Sequence, residues 1–141
     1  MRVTPEEARV LAARCGVTLD DGGPKPSKMR NVPTEYAGRR YASKAEARRA
    51  RELDALRQSG EVRFWIPQPI FSLGPAGIVY RPDFLVVPDR GGAWAEDVKG
   101  RETERFRLIK KVWMEHGPCD LRILRLVRGA WETETVIGGM A

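Results

Sequence analysis

Four charged side chains sit in strands that do not need them for stability. The stretch YRPDFLVVPDRGGAWAEDVKG, residues 80–100, reads as two apolar strands joined at Asp89-Arg90-Gly91-Gly92. It carries Asp83, Glu96, Asp97 and Lys99. Strand side chains alternate between faces, so Asp97 and Lys99 share one face with Ala95, and Trp94, Glu96 and Val98 take the other. On the first strand Asp83 shares a face with Arg81 and Leu85. Pairing across the Gly91-Gly92 turn is expected to bring Asp83 beside Asp97. Two close carboxylates repel, and a divalent cation between them relieves the repulsion. Such a cation activates water and stabilises charge on a phosphoryl oxygen. A neighbouring lysine orients that water or neutralises the transition state. Phosphodiester hydrolysis needs these parts and no covalent nucleophile. The plainer alternative is a pair of surface ion pairs, Asp97 with Lys99 and Asp83 with Arg81, which would stabilise by only ~0–1 kcal/mol. Against it, Asp83 begins the apolar run DFLVV, where an uncompensated carboxylate is costly.

Glu46 is a third acid of interest. Ser43-Lys44-Ala45-Glu46 has the form of a capping box, with Ser43 as cap and Glu46 reaching back to it. Residues 46, 50 and 53 also step along one helical face, which turns Glu46 toward the core with Ala50 and Leu53 and gives it a site role alongside capping. Within Glu96-Asp97-Val98-Lys99 either acid fits. The spacing to Lys99 and the strand alternation favour Asp97, while a bulge would exchange the two faces and keeps Glu96 in reserve.

The elements that must position these groups follow from local signals. Thr4-Pro5-Glu6-Glu7 looks like a helix start, predicting a short helix over Pro5–Arg14 that stops at Gly16. DDGGPKPSKMRNVPT reads as a linker or flexible arm. Residues 1–33 therefore form an N-terminal helix and arm, and residues 34–141 a core domain. The core opens with EYAGRRYAS, an extended segment or small hairpin around Gly38. A helix over Ser43–Gln58 follows, ended by Gly60. EVRFWIPQPIFSL is an edge or bent strand interrupted by Pro67 and Pro69. GIVYRPDFLVV and GAWAEDVKG form a hairpin. ETERFRLIKKVWMEHG is a second helix, with Phe106, Ile109 and Trp113 on its helical period and Gly117-Pro118 at its end. CDLRILRLV is a final strand. The order α, β-β-β, α, β predicts an α/β fold with a central mixed sheet flanked by helices, its last strand reached by a crossover.

Composition sets outer limits. The chain has 141 residues, 42% hydrophobic and 31% charged, which suits one domain. No apolar run nears the ~20 residues of a membrane span, and the N-terminus lacks the apolar stretch of a signal peptide, so a cytoplasmic protein is expected. The net charge is +6, with 19 arginines among 25 basic residues. Arginine grips phosphate oxygens in pairs, which suits nucleic acid. Cys15 and Cys119 stand alone and His116 is the one histidine, so zinc and histidine-based nucleophilic catalysis are not expected. A metal would rest on oxygen ligands, which points to magnesium or manganese.

The ordered set SKAEARRARELDALRQSGEV, QP, RPDF and EDVKG resembles the PD-(D/E)xK nuclease superfamily, with Pro82-Asp83 matching its first element and Asp97-Val98-Lys99 its second. Within it the chain is similar to small phage-type nucleases and Holliday-junction resolvases, over roughly Tyr41 to Val127. The resemblance implies a restriction-endonuclease-like core and a metal site of Glu46, Asp83, Asp97 and the Val98 carbonyl. It implies Lys99 as the catalytic lysine, Mg2+ as cofactor with Mn2+ able to substitute, and Gln68 as a supporting polar residue. A phage-encoded resolvase would work in a host cytoplasm.

Basic residues surround the expected site. Arg39, Arg40, Lys44 and Arg48 accompany the Glu46 helix, and Arg101, Arg105, Arg107, Lys110 and Lys111 follow the DVK motif. Such clusters hold phosphates on both sides of a cut, and unpaired like charges on one helix favour a ligand. Nothing resembles a base-reading element, so binding should follow shape and charge. A four-way junction has approximate twofold symmetry and needs two matched cuts, hence a homodimer. Its interface would come from the N-terminal segment or from an apolar tail of Trp131, Val136 and Ile137. A different DNA nuclease of the same chemistry, or a basic DNA-binding protein without catalysis, are the alternatives.

Overall fold

The strands that carry Asp83, Asp97 and Lys99 run through the middle of a five-stranded sheet. The computed structural model describes Val17–Leu19 and residues 32–141; the expected helix over Pro5–Arg14 and most of the arm fall outside the described residues. The strands are β1 (Val17–Leu19), β2 (Thr34–Tyr36), β3 (Arg39–Tyr41), β4 (Val62–Pro67), β5 (Pro69–Leu73), β6 (Ile78–Tyr80), β7 (Phe84–Pro88), β8 (Trp94–Val98), β9 (Asp120–Val127) and β10 (Ala130–Val136), with helices α1 (Lys44–Ser59) and α2 (Glu104–His116). The main sheet has the order β10-β9-β8-β7-β4. All its pairings are antiparallel except β8 with β9, which are parallel because α2 carries the chain back across the sheet. The core is thus the expected mixed sheet flanked by helices.

Both helices start on side-chain caps, at Ser43 as expected and at Thr103, which lies inside the stretch read as helix. Ser43 Oγ accepts from the Glu46 N–H at 3.1 Å, and Thr103 Oγ1 accepts from the Phe106 N–H at 3.2 Å, each satisfying one otherwise orphaned donor of a first turn. Gly60, at φ 87, closes α1 in the left-handed conformation that favours glycine. The helices cover opposite faces of the sheet. Ala47, Ala50 and Leu53 of α1 pack with Val62, Phe84 and Val86. Phe106, Ile109 and Trp113 of α2 pack with Phe64, Ile66, Leu85, Ala95, Leu121 and Ile123. The alternation of Phe84 and Val86 against Leu85 along β7 decides which helix sees which side chain.

Three features depart from the expected elements. EVRFWIPQPIFSL is two strands in two sheets: β4 joins the main sheet, while β5 pairs with β1 and β6 in a three-stranded sheet. The chain turns between them at Gln68, with φ 50. GIVYRPDFLVV is likewise divided at Arg81-Pro82-Asp83, with β6 in the small sheet and β7 in the main one. The third departure is β10. It was expected to be a free tail, but it pairs with all of β9 from Ala130↔Val127 to Val136↔Leu121, through a turn at Arg128 (φ 52) and Gly129 (φ 80). Two consecutive positive φ values match the twist of a tight hairpin, but an arginine in the first position is a poor signal for that turn.

β10 also corrects the interface expectation. Val136 is buried in the protein's own core. Trp131 donates from Nε1 to Glu52 of α1 at 3.0 Å and carries the Arg48 guanidinium 5.6 Å from its ring centroid. Of the three tail residues, Ile137 alone is largely exposed. No helix among the described residues is long and apolar enough to cross a membrane.

Candidate active site

β7 and β8 pair with Phe84 opposite Glu96. The ladder runs one step beyond β7, where the Asp83 N–H donates to the Glu96 carbonyl at 3.0 Å. That register puts Asp83 level with Asp97. The Asp83 side chain then closes over the end of β8, its Oδ2 accepting from the Val98 N–H at 2.7 Å. In extended chain a residue's N–H and C=O point to the same side, so the Val98 carbonyl is directed toward Asp83 as well. Both acids are buried, Asp83 at 3% and Asp97 at 1% exposure.

Asp97 is gripped from two sides. Tyr80, the last residue of β6, donates its hydroxyl to Asp97 Oδ2. Lys99 Nζ stands 3.4 Å from Asp97 Oδ1 and 4.3 Å from the Phe106 ring centroid, on the α2 face, as the i, i+2 alternation requires. Lys99 remains one-quarter exposed, so a cation held beside a buried carboxylate still reaches solvent. Burial, the Asp97 charge, the hydrogen bond to Asp97 and the Asp83 charge all push the Tyr80 hydroxyl well above the usual tyrosine range. It therefore remains a donor at any ordinary pH. Tyr80 is a site residue that the sequence reading did not identify. It lies in what looks like one continuous strand with Asp83, and only the break at Arg81-Pro82-Asp83 turns its side chain onto Asp97.

Glu96 belongs to the other face. Arg49 of α1 grips it with two bonds of 2.8 and 2.7 Å, and Trp94 Nε1 adds a third at 3.0 Å. No bulge exchanges the faces, and Glu96 is fully buried as the anchor of α1 on β8. Glu46 is also buried, at 7%, on α1, which packs on the face opposite Asp97. Among the described residues no three Asp, Glu, His or Cys side chains converge to hold a metal, so the expected trio of Glu46, Asp83 and Asp97 is not assembled as one ligand set. The remaining donors still fit a hard cation. Mg2+ is commonly held by one or two carboxylates and keeps several waters. Asp83 and Asp97, with the Val98 carbonyl directed the same way, meet that requirement with oxygen alone.

The other expected residues divide in the same way. Gln68 is 3% exposed, and its N–H donates to the Asp83 carbonyl at 2.7 Å, so it abuts the site. Ser43 serves as the α1 cap. Arg40, Lys44, Arg101, Arg105 and Lys111 are exposed and form no ion pair among the described residues. Arg48 instead pairs with Glu52 at 3.3 Å and donates to the Gly129 carbonyl at 2.9 Å. Lys110 is held by Glu102 and lies 3.4 Å from Glu134, and Arg107 lies 3.6 Å from Glu102. The expectation that the α2 cations lack partners therefore fails for Arg107 and Lys110. Their partners come from the preceding loop and from β10, which helix spacing does not reveal. The bond from Lys110, with the charges of Lys110, Arg125 and Arg107, lowers the Glu102 carboxyl below the usual range.

Comparison with known families places most of the chain in one of them. A family model described as a protein of unknown function, DUF1064, matches residues 26–136. No curated protein and no solved structure matches the chain.

Proposed function

Because the chain belongs to the DUF1064 family, whose description assigns no activity, its function has to be read from its own side chains, and we propose that it is a metal-dependent, structure-specific DNA endonuclease that resolves four-way junctions. One observation carries the reading: Asp83, Asp97 and Lys99 meet at the end of β8, with both acids buried and the lysine reaching solvent. A structural ion pair alone would not need a second buried carboxylate at the same level of the ladder.

In this reading Asp83 and Asp97 hold Mg2+, or Mn2+ in its place. Such an ion, when bound, would supply an activated water and offset charge on the phosphoryl oxygens. Tyr80 fixes the Asp97 carboxylate through its hydroxyl, so that its oxygens need not reorganise when the ion and substrate arrive. Lys99, shared between Asp97 and the Phe106 ring, donates an N–H hydrogen bond to an oxygen of the phosphate under attack and balances its growing negative charge. Val98 ties the two acids together, because its N–H is the donor that orients Asp83. The exposed cations Arg40, Lys44, Arg101, Arg105 and Lys111 hold backbone phosphates on either side of the cut. With no base-reading element among the described residues, the protein selects DNA by shape. The symmetry of a junction calls for two copies acting together.

The test is cleavage of a labelled four-way junction beside fork, flap and linear duplex substrates, with Mg2+, with Mn2+ and with chelator. The wild-type protein should place paired symmetric nicks on the junction only when metal is present. Asp97→Asn and Lys99→Ala should reduce the rate by at least about a hundredfold while junction binding persists. Cleavage confined to another substrate would overturn the junction assignment. Binding without any cleavage in either metal would make the protein a DNA-binding module instead.

A further inference from the structure

Residues 64–80 hold no charged side chain, in a chain that is 31% charged. Much of that stretch is core, but its last turn and strand are open. Pro75, Ala76, Gly77, Ile78 and Val79 are exposed, Val79 at 57%. Ile78 and Val79 belong to β6, which pairs with β5 on one side and forms an edge of the small sheet. The turn decides which backbone groups face that edge. The Gly77 N–H donates to the Gly74 carbonyl at 3.0 Å, and from there successive residues alternate in the side to which they send N–H and C=O. Val79 sends its pair inward to Ser72, its partner in the ladder. Ile78 and Tyr80 send theirs outward, where no strand among the described residues receives them.

Natural sheet edges are blunted by charge, proline or a bulge. The main sheet follows that rule. β4 carries Arg63, Pro67 and a register shift between Val62 and Phe64, and β10 carries Glu132 and Glu134. A second copy of β10 could not pair about its central Thr133, because Glu132 would stand opposite Glu134 and like charges destabilise such a pair. β6 reads Ile-Val-Tyr and has the opposite property. A twofold axis at Val79 sets Ile78 opposite Tyr80 of the partner subunit. Those are the two residues whose N–H and C=O face outward, so each such pair can exchange two hydrogen bonds. The edge is complementary to itself.

We propose that two copies of the chain join through β6, antiparallel about Val79, making one six-stranded sheet from the two small ones. The pairing rests on the strand itself, whereas its consequence for catalysis rests on the nuclease reading. Tyr80 is both an edge residue and the donor that holds Asp97. Bonds to Ile78 of the partner subunit would fix the Tyr80 backbone, so each copy steadies the other's site. Three paired residues make a small interface, so association is weak and depends on concentration.

Sedimentation equilibrium should show the wild type passing from monomer to dimer at concentrations on the order of 100 µM. Val79→Lys places two like charges at the axis and should weaken association about fivefold or more. Val79→Thr stays uncharged and β-branched and should associate within about twofold of the wild type. Far-ultraviolet dichroism should show all three folded, since Val79 is exposed. Opposite residues of a pair that share no hydrogen bonds have Cα atoms about 4.5 Å apart, within disulfide reach. In a Cys15→Ser background, Val79→Cys should therefore oxidise to a covalent dimer. Ser72→Cys, one strand further from the axis on each side, should not. A wild type that stays monomeric, a dimer that Val79→Lys leaves unchanged, or equal cross-linking through Ser72→Cys would each refute the edge, even where metal-dependent cutting stands. If the dimer and the Val79→Cys cross-link form but neither metal produces cutting of a junction, the edge stands and the nuclease assignment falls.

Discussion

Tyr80 controls how Asp97 is presented. A buried carboxylate with one mobile neighbour can rotate, whereas one held by Tyr80 on one oxygen and Lys99 on the other cannot. Tyr80→Phe removes a single oxygen and keeps the ring against Phe106 and Trp113. Removing a group that orients a ligand typically costs 10–100-fold in metal affinity or activity. In the nuclease proposed above, Tyr80→Phe should therefore require roughly ten- to a hundredfold more Mg2+ for half-maximal cutting, measured by metal titration of the cleavage rate. An unchanged Mg2+ requirement would show that Tyr80 does not position Asp97. At this scale much was legible in the sequence. The D-x-K spacing in a strand put Asp97 and Lys99 on one face, and apolar neighbours around Asp83 implied burial. Tyr80 was not legible because period-two reasoning assumes an unbroken strand, and the break before Asp83 voids it.

At the scale of elements, α1 is fastened to β8 by Arg49 and Glu96. Glu96 is fully buried, so its charge is tolerable only while Arg49 covers it. Arg49→Met should destabilise the fold by ~3–5 kcal/mol, the usual result of leaving one member of a buried pair alone, as read from urea unfolding. Adding Glu96→Gln to that variant should recover a large part of the loss. If Arg49→Met unfolds at the wild-type urea concentration, the pair does not fasten the helix. The same clip explains why Glu96 looked like a candidate ligand: sequence shows an acid beside the motif, but not which helix delivers a guanidinium to it from 47 positions away. The bend at Gln68 was announced by its flanking prolines. Its assignment of β4 and β5 to separate sheets was not, since pairing partners are long-range facts. The β9–β10 hairpin escaped for a local reason, its Arg-Gly turn lacking the usual Asn or Asp.

At the scale of the whole molecule, all three tyrosines resist ionisation. Burial lifts Tyr41 to about 12, burial and the Asp97 and Asp83 charges hold Tyr80 well above the usual tyrosine range, and a hydrogen bond to Asp54 raises Tyr36. The sign follows from proton counting. Below pH 10 folded and unfolded chains both keep these protons. Above it the unfolded chain releases them first, which lowers its free energy relative to the fold. Stability should hold through neutral pH and then fall from about pH 10 by roughly 1.4 kcal/mol per pH unit for each of the buried pair, Tyr41 and Tyr80. Phenolate absorbance should appear together with the loss of far-ultraviolet dichroism in an alkaline titration. Ionisation that precedes unfolding would show that the hydroxyls are open to water. The mixed sheet and its flanking helices were legible here because caps, helical periods and the crossover order agreed. That crossover also has a consequence for synthesis. β8 is completed on one flank only by β9, whose Leu124 carbonyl receives the Lys99 N–H at 2.9 Å. The ribosome must therefore make α2 and β9 after every acid of the proposed centre has already been synthesised. A nascent chain holds the charged groups before it holds the frame that aims them, so the arrangement of Asp83, Asp97 and Lys99 waits until translation has moved past the final parallel strand.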